Sequence, residues 1–263
     1  MNAGAFGILW RRRHLLGALA KRDLLGRYRG SALGLLWALA EPLALLGIYT
    51  LVFGVMIGLG RENGIGSYAL SVFCAILIWL AFSEAVNRST TVIWENPSLV
   101  KKVIFPHEVL PLKVVIAGIA NQLPGFCILL AAVAAFQGTA HWSWAWIPLL
   151  LLPLFLCTAG VAFFVAGLGP VIRDIRQFAS LATLCWMFLT PIFYPESVFR
   201  GRWALWLLLN PLAALIHNFR AAILGGKAPD WGMFVYTLAL GLLLYRAGFA
   251  FFKKAERVFA DLV

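Results

Sequence analysis

Six long apolar stretches fill most of the chain, at residues 33–59, 67–85, 109–136, 146–169, 178–193 and 231–252. An apolar run of about 20 residues is what a helix needs to cross the hydrocarbon core of a bilayer. Lipid offers no partner to an open strand edge, so such runs fold as helices. A membrane barrel would need strands of about ten residues that alternate polar and apolar, and the run 127–136 does not alternate. Composition agrees, with 62% of 263 residues hydrophobic and only 13% charged, against about a quarter charged in a soluble domain. The expected fold is an all-α integral membrane protein with six spans.

The basic residues fall on alternate sides of these spans. The N-terminal arm (Arg11, Arg12, Arg13, Lys21, Arg22, Arg27, Arg29), the second and fourth loops and the tail hold 16 Lys and Arg; the first, third and fifth loops hold five, Arg220 among them. The positive-inside rule then puts both termini in the cytoplasm. A net charge of +11 is thus spread by topology, not gathered into one face that reads nucleic acid. Residues 197–226 break the pattern, being long and greasy. Their apolar pieces, 203–209 and 212–223, are split by Asn210-Pro211. Each is about half the length of a span, and proline disfavours helix at the residue before it. Two short re-entrant helices on the outer side are preferred to a seventh span, which would carry Lys253, Lys254 and Arg257 outside.

Several chemistries find no support. The apolar start is followed by a basic arm, not by the pattern of a cleavable signal peptide. The four cysteines, Cys74, Cys127, Cys157 and Cys185, stand singly inside spans without a CxxC spacing, which indicates neither zinc nor disulfides. The four histidines are scattered, so neither a catalytic residue nor a metal site is expected. A phosphate-binding GxxxxGK[ST] loop does not occur; if the protein uses ATP, another chain binds it.

Three segments carry more information. In the arm, Ile8, Leu15, Leu16, Leu19, Leu24 and Leu25 fall near one helical stripe with basic residues opposite. An amphipathic helix lying on the cytoplasmic leaflet is expected, the alternative being a simple topogenic cluster. Glu41 and Glu84 are acids near the cytoplasmic ends of the first two spans. Such acids are costly in lipid, and Arg29 or Arg88 is the expected partner. The second cytoplasmic loop holds a short helix bracketed by Pro97 and Pro106 and capped by Asn96, a favoured N-cap type. It is a stiff, basic, part-apolar knob suited to docking, and Arg173-Asp174-Ile175-Arg176-Gln177 forms a second one.

In order along the chain, Arg27-Tyr28-Arg29-Gly30-Ser31 with Leu33, Gly34, Trp37 and Pro42, then Asn96-Pro97 and Phe105-Pro106, Arg173-Asp174, Thr190-Pro191-Ile192-Phe193-Tyr194-Pro195 and Asn210-Pro211 resemble the ABC-2 type permeases of bacterial polysaccharide export. That family moves capsular polysaccharide, O-antigen or teichoic acid. The resemblance implies the ABC-2 exporter fold, with a cytoplasmic interface arm at residues 1–32 and a six-span domain at 33–263. It implies an inner-membrane homodimer that pairs with two copies of a separate cytoplasmic ATPase. ATP and Mg would sit on that partner, and this chain would bind no cofactor. The segment holding Asn96, Pro97, Leu99, Lys101, Lys102, Phe105 and Pro106 matches the coupling helix. Arg173, Asp174 and Arg176 match a second ATPase contact, and Arg22, Arg27, Tyr28 and Arg29 belong to the interface helix. ATP binding would draw the ATPases together and open a path between the first and fifth spans for a lipid-linked polysaccharide.

Sugars present C–H faces that slide on aromatic planes. Tyr49, Phe53, Trp186, Phe193 and Tyr194 stand where the first and fifth spans would line such a path, although aromatics in spans also serve as packing or as interfacial belts. Trp142, Trp144 and Trp146 are expected to be belt. Two other classes compete: a membrane-embedded glycosyl- or acyltransferase, and an ion-coupled transporter of small molecules. The first needs a polar constellation near the membrane surface. The second needs charges at mid-span, whereas Glu41, Glu84 and Arg246 all lie near the cytoplasmic side.

Overall fold

Runs of leucine, valine, isoleucine and alanine bounded by glycine, proline and charged residues wind into helices throughout the chain. The structure is a computed structural model that describes residues 7, 11–27, 30–31, 34–61, 64–101, 105–138, 140–195 and 209–259. Its helices are α1 (Arg13–Arg27), α2 (Trp37–Tyr49), α3 (Ile65–Ser89), α4 (Pro97–Val100), α5 (Val109–Gln137), α6 (Ile147–Leu168), α7 (Ile175–Phe188), α8 (Pro211–Ile223) and α9 (Trp231–Ala255). No strand occurs among the described residues. α2 continues through a wider π-helical segment, Thr50–Met56.

Among the described residues, five helices are long and apolar enough to cross a membrane: Trp37–Met56, α3, α5, Trp142–Leu168 and α9. The expected fifth span differs. α7 has 14 residues, about 21 Å at 1.5 Å per residue, against a hydrocarbon core of about 30 Å. Pro191 is the reason, since it disfavours helix at Thr190, and the chain turns through residues 189–195 instead.

α3 is the central element. Residues 72–79 are buried on every side, as expected of a helix apolar all round. It packs against α5, where Leu77 Cδ2 lies 2.4 Å from the place a side chain on Gly125 would fill. α6 and α9 meet more closely still. A Cβ on Gly248 would lie 2.2 Å from the Gly160 carbonyl oxygen, and one on Gly160 would lie 2.5 Å from the Leu244 carbonyl carbon. Small residues let membrane helices touch backbone to backbone in this way. Phe163 then interlocks with Tyr245, Phe249 and Phe252, at 5.5–5.6 Å between ring centres.

The half-length helix expected after Asn210-Pro211 is α8. Asn210 caps it by accepting a hydrogen bond from Leu212 N at 3.1 Å. α8 is a core element, with Leu212, Leu215, Ile216, Phe219 and Ile223 all buried. The other expected half, 203–209, lies outside the described residues apart from Leu209. By contrast, only 11% of the most apolar stretch of Trp37–Met56 is buried. This span bares Leu43, Ile48, Leu51, Val55 and Met56, and α7 bares Phe178, Leu181, Leu184 and Phe188.

Candidate functional site

The basic loops meet at one end of the bundle. α1 lies across that end and buries Leu16, Leu19 and Ala20. The expected leucine stripe is narrower than its sequence: Leu25 is 45% exposed, and Ile8 lies outside the described residues. Two charged groups extend the buried face instead. The Asp23 and Arg27 side chains are only 9% and 10% exposed. Arg27 pairs with Glu84. Asp23 accepts two hydrogen bonds from Arg88, at 2.6 and 3.1 Å, and lies 3.9 Å from Lys113 Nζ. Glu84 thus takes Arg27, while Arg88 turns to Asp23, because α1 brings its own acid and base to α3. Of the arm residues expected to act, Arg22 is exposed, Arg27 turns inward, and Tyr28 and Arg29 lie outside the described residues.

Lys113 joins this hub to the next loop by donating to Asn96 Oδ1 at 3.2 Å. The Asn96 amide donates to Val92 O at 2.8 Å. The side chain therefore does not cap α4, contrary to expectation; Lys113 and the Val92 carbonyl hold it. The Asn96 backbone carbonyl starts the helix, accepting from Leu99 N and Val100 N at 3.0 and 3.1 Å. Pro97 occupies the first turn, where its missing N–H costs nothing. Pro97, Ser98 and Lys101 face out, Leu99, Phe105 and Pro106 are half-buried, and Val100 is buried. Val100 anchors the knob in an apolar cluster with Leu16, Val92, Ile93, Phe252 and Phe259. Lys102 lies outside the described residues.

The second knob stands beside the first. Trp94 Nε1 donates to Gly169 O at 3.2 Å. Arg173, Asp174 and Arg176 are exposed at the start of α7, with Ile175 buried beneath them. A polar cleft of about 320 Å³ between α3 and α7 is lined by Asn87, Arg88, Thr91, Glu95, Arg176 and Ser180. On the other side, His107 contacts the Val100 carbonyl through Nε2 at 2.9 Å and Glu256 through Nδ1 at 2.7 Å. Lys253 bonds Glu108 and Glu256 at 2.7 and 2.8 Å.

At the far end, three of the five expected path residues form one aromatic seam. Phe193 lies 4.3 Å from Tyr49 and is stacked on Phe53 at 4.9 Å. The seam joins the first span to the turn after α7. Phe193 itself is 1% exposed, so here it packs. Trp186 stands apart, edge-on to Phe82 at 5.4 Å, and donates to Asn210 Oδ1 at 3.1 Å. The Tyr194 hydroxyl donates to the Phe188 carbonyl.

Sequence reasoning missed what holds that turn. Each carbonyl from Phe188 to Phe193 has a donor. Tyr194 serves Phe188, Asn210 serves Leu189 at 3.5 Å, and Ile192 N serves Thr190 at 2.7 Å. Arg220 serves Pro191 and Ile192 at 2.9 Å each, and Tyr68 serves Phe193 at 2.7 Å. Arg220 Nε also donates to Ser71 O at 3.2 Å. Arg220 is therefore an internal support, not a loop charge. Its place four residues after Ile216, on the same face of α8, was the available signal. Beside it opens a cavity of about 480 Å³ lined in part by Tyr68, Ser71, Gln137, Phe193 and Arg220. Of the tryptophans expected as belt, Trp142 is exposed and Trp144 Nε1 donates to Ile223 O at 3.1 Å at the end of α8.

The long apolar helices define a multi-pass membrane protein, and residues 14–224 match the ABC-2 type transporter family; the chain belongs to it. Its relatives are named as export or transport proteins. The chain is 29% identical over 257 residues, 97% of each protein, to the O-antigen export system permease protein RfbA of Myxococcus xanthus. It is 26% identical to an RfbA of Klebsiella pneumoniae, over 95% of each. It is 26% identical to the polysialic acid transport protein KpsM of Escherichia coli, over 87% of this chain and 91% of that one.

Proposed function

We propose that this chain is the permease subunit of an ATP-driven exporter of lipid-linked polysaccharide in a bacterial inner membrane. Similarity to O-antigen export permeases along nearly the whole length carries the reading. Two copies associate with each other and with two copies of a separate ATPase that binds ATP and Mg. The bare apolar faces of the first span and α7 suit a second copy or lipid. Six crossings place both termini in the cytoplasm, with α7 and the carbonyl-captured turn forming the fifth. Irregular backbone at membrane depth is tolerated only where protein satisfies it, which is what Arg220, Asn210 and Tyr68 do.

The basic end is then the ATPase-docking face. Pro97 and Lys101 at α4, with half-buried Leu99 between them, and Arg173 and Arg176 at the start of α7 present side chains over the buried anchors Val100 and Ile175. Tyr49, Phe53 and Phe193 form the far-end seam that separates when the path opens. The 29% identity to the RfbA of Myxococcus xanthus over 97% of the chain favours O-antigen over capsule as substrate, ahead of 26% to KpsM over 87% and 24% to a capsule export protein over 90%.

The test is purification of the tagged chain together with its candidate ATPase partner. Vanadate-sensitive hydrolysis that appears only in the complex, with loss of surface polysaccharide on deletion of the gene, is the expected result. Group transfer or solute uptake by the lone chain would overturn the reading.

A further inference from the structure

The two nitrogens of His107 both face atoms that only accept hydrogen bonds, the Val100 carbonyl at 2.9 Å and the Glu256 carboxylate at 2.7 Å. A neutral imidazole has one N–H and satisfies one of them; the imidazolium satisfies both. The alternative, a neutral ring accepting at Nδ1 from a protonated Glu256, would keep both contacts, but Lys253, 2.8 Å from the other carboxylate oxygen, favours the ionised carboxylate. Lys253 also bonds Glu108 at 2.7 Å. These are the charged groups that face the ring: Glu256 from the turn after α9, Lys253 from α9 itself, and Glu108 from the start of α5. With His107 charged, two cations balance two carboxylates. With it neutral, the cluster keeps an excess negative charge with Glu108 and Glu256 only 8% and 19% exposed.

The bonded atoms matter as much as the charge. Val100 is the last residue of α4, so its carbonyl is one of the four that a helix end leaves without an internal partner. Glu256 opens the short turn Glu256–Val258 that continues α9. One side chain therefore bridges the docking knob to the end of a membrane-crossing helix.

We propose that His107 is a positioning residue for coupling. As the imidazolium it clasps α4 to the end of α9, so that a push on α4 moves a spanning helix, and losing its proton releases the knob into a slack loop. The proposal rests on α4 being the ATPase-docking element. The hydrogen bond to Glu256 raises the His107 pKa; burial opposes, and the Val100 carbonyl and the charges of Glu256 and Glu108 add to the rise. The clasp is thus complete below the ordinary histidine value of about 6.5 and is lost as pH climbs through the raised one. Burial pushes the Glu256 carboxyl up, but the bonds and charges of His107 and Lys253 outweigh it and hold the group below its ordinary value. The acid-side loss of the clasp therefore falls beneath the ordinary carboxylate range.

Spin labels at Ser98→Cys and Arg257→Cys, in the full-length chain with its native cysteines replaced and held in nanodiscs, read the clasp without any ATPase. Between about pH 5.5 and 9.5, bracketing the free histidine value, the distance distribution should broaden as pH rises. His107→Arg should stay narrow throughout, and Glu256→Gln should move the midpoint down. A pH-independent distribution with His107 present, or the same broadening in His107→Arg, would overturn the clasp. In the ATPase complex, His107→Gln should lower transport per ATP roughly fivefold or more at neutral pH, and His107→Arg should restore it without a pH slope. Unchanged transport per ATP beside a titrating clasp would overturn the coupling role. Failure to bind any ATPase would instead defeat the docking reading and leave the distance measurement standing.

Discussion

Arg220 shows how one side chain stands in for water. Its guanidinium supplies donors to the carbonyls of Ser71, Pro191 and Ile192, and a buried acceptor left without a donor costs about 1–3 kcal/mol. Arg220→Leu is therefore expected to destabilise the fold by about 2–4 kcal/mol, allowing for partial relaxation. Arg220→Lys should recover only part of that, since an ammonium lacks the planar fork. Unfolding in a detergent titration checks both; equal stability of wild type and Arg220→Leu would show that the turn does not depend on this residue. Asp23 illustrates the same economy at the basic end, where a single carboxylate meets Arg88, Arg27 and Lys113. Arg220 and Asp23 read as ordinary surface charges in the linear chain. Only the folded partner tells a topogenic arginine from a structural one.

Among elements, α6 and α9 are joined by touching glycines. Gly248→Val must push a branched side chain into the Gly160 carbonyl, which lies 2.2 Å from the new Cβ. Overpacking of this kind costs about 1–3 kcal/mol and sometimes more. Gly17, with nothing within 4 Å of its Cβ position, is the control: Gly17→Ala in a helix is expected to be neutral or slightly stabilising. A shared thermal midpoint for both variants would contradict this packing. These elements were legible in the chain to different degrees. Apolar runs of span length located α3, α5, α6 and α9 within a few residues, because lipid demands length and little else. Asn210-Pro211 announced the start of α8. The end of α7 was overrun, since apolar content continues through Phe193 whereas helix stops before Pro191. The pairing of Glu84 with Arg27 was out of reach, because it depends on how α1 crosses α3. Asn96 was read correctly as the start of α4, but by residue type; its side chain answers to Lys113, seventeen residues further along the chain.

At the level of the whole molecule, the far-end seam is the part that must open if polymer passes between the first span and the turn after α7. Aromatic pairs contribute about 0.5–1.5 kcal/mol each beyond simple burial, so the contacts of Phe193 with Tyr49 and Phe53 would form a closure weak enough to break on the proposed path. Tyr49→Ala and Phe53→Ala are expected to slow export while ATPase assembly stays intact. Surface polysaccharide measured beside co-purification of the ATPase checks this; unchanged export in both variants would remove the seam from the transport path.

α9 connects the two ends. At one it carries Lys253 and leads into Glu256; at the other its capping residue Asp230 exchanges two hydrogen bonds with Asn218 of α8, at 2.7 and 3.3 Å. α8 in turn carries Arg220, which holds the carbonyls of the turn that bears Phe193. α6 packs backbone to backbone against it through Gly160 and Gly248, so a tilt of α9 would carry through its length as in a lever. Over its 25 residues, about 37 Å, a tilt of roughly 5° displaces the far tip by about 3 Å. That is the thickness of one aromatic ring, so under the proposed docking of an ATPase at the basic end a small rotation there would have enough reach to unstack Phe193 on the opposite side.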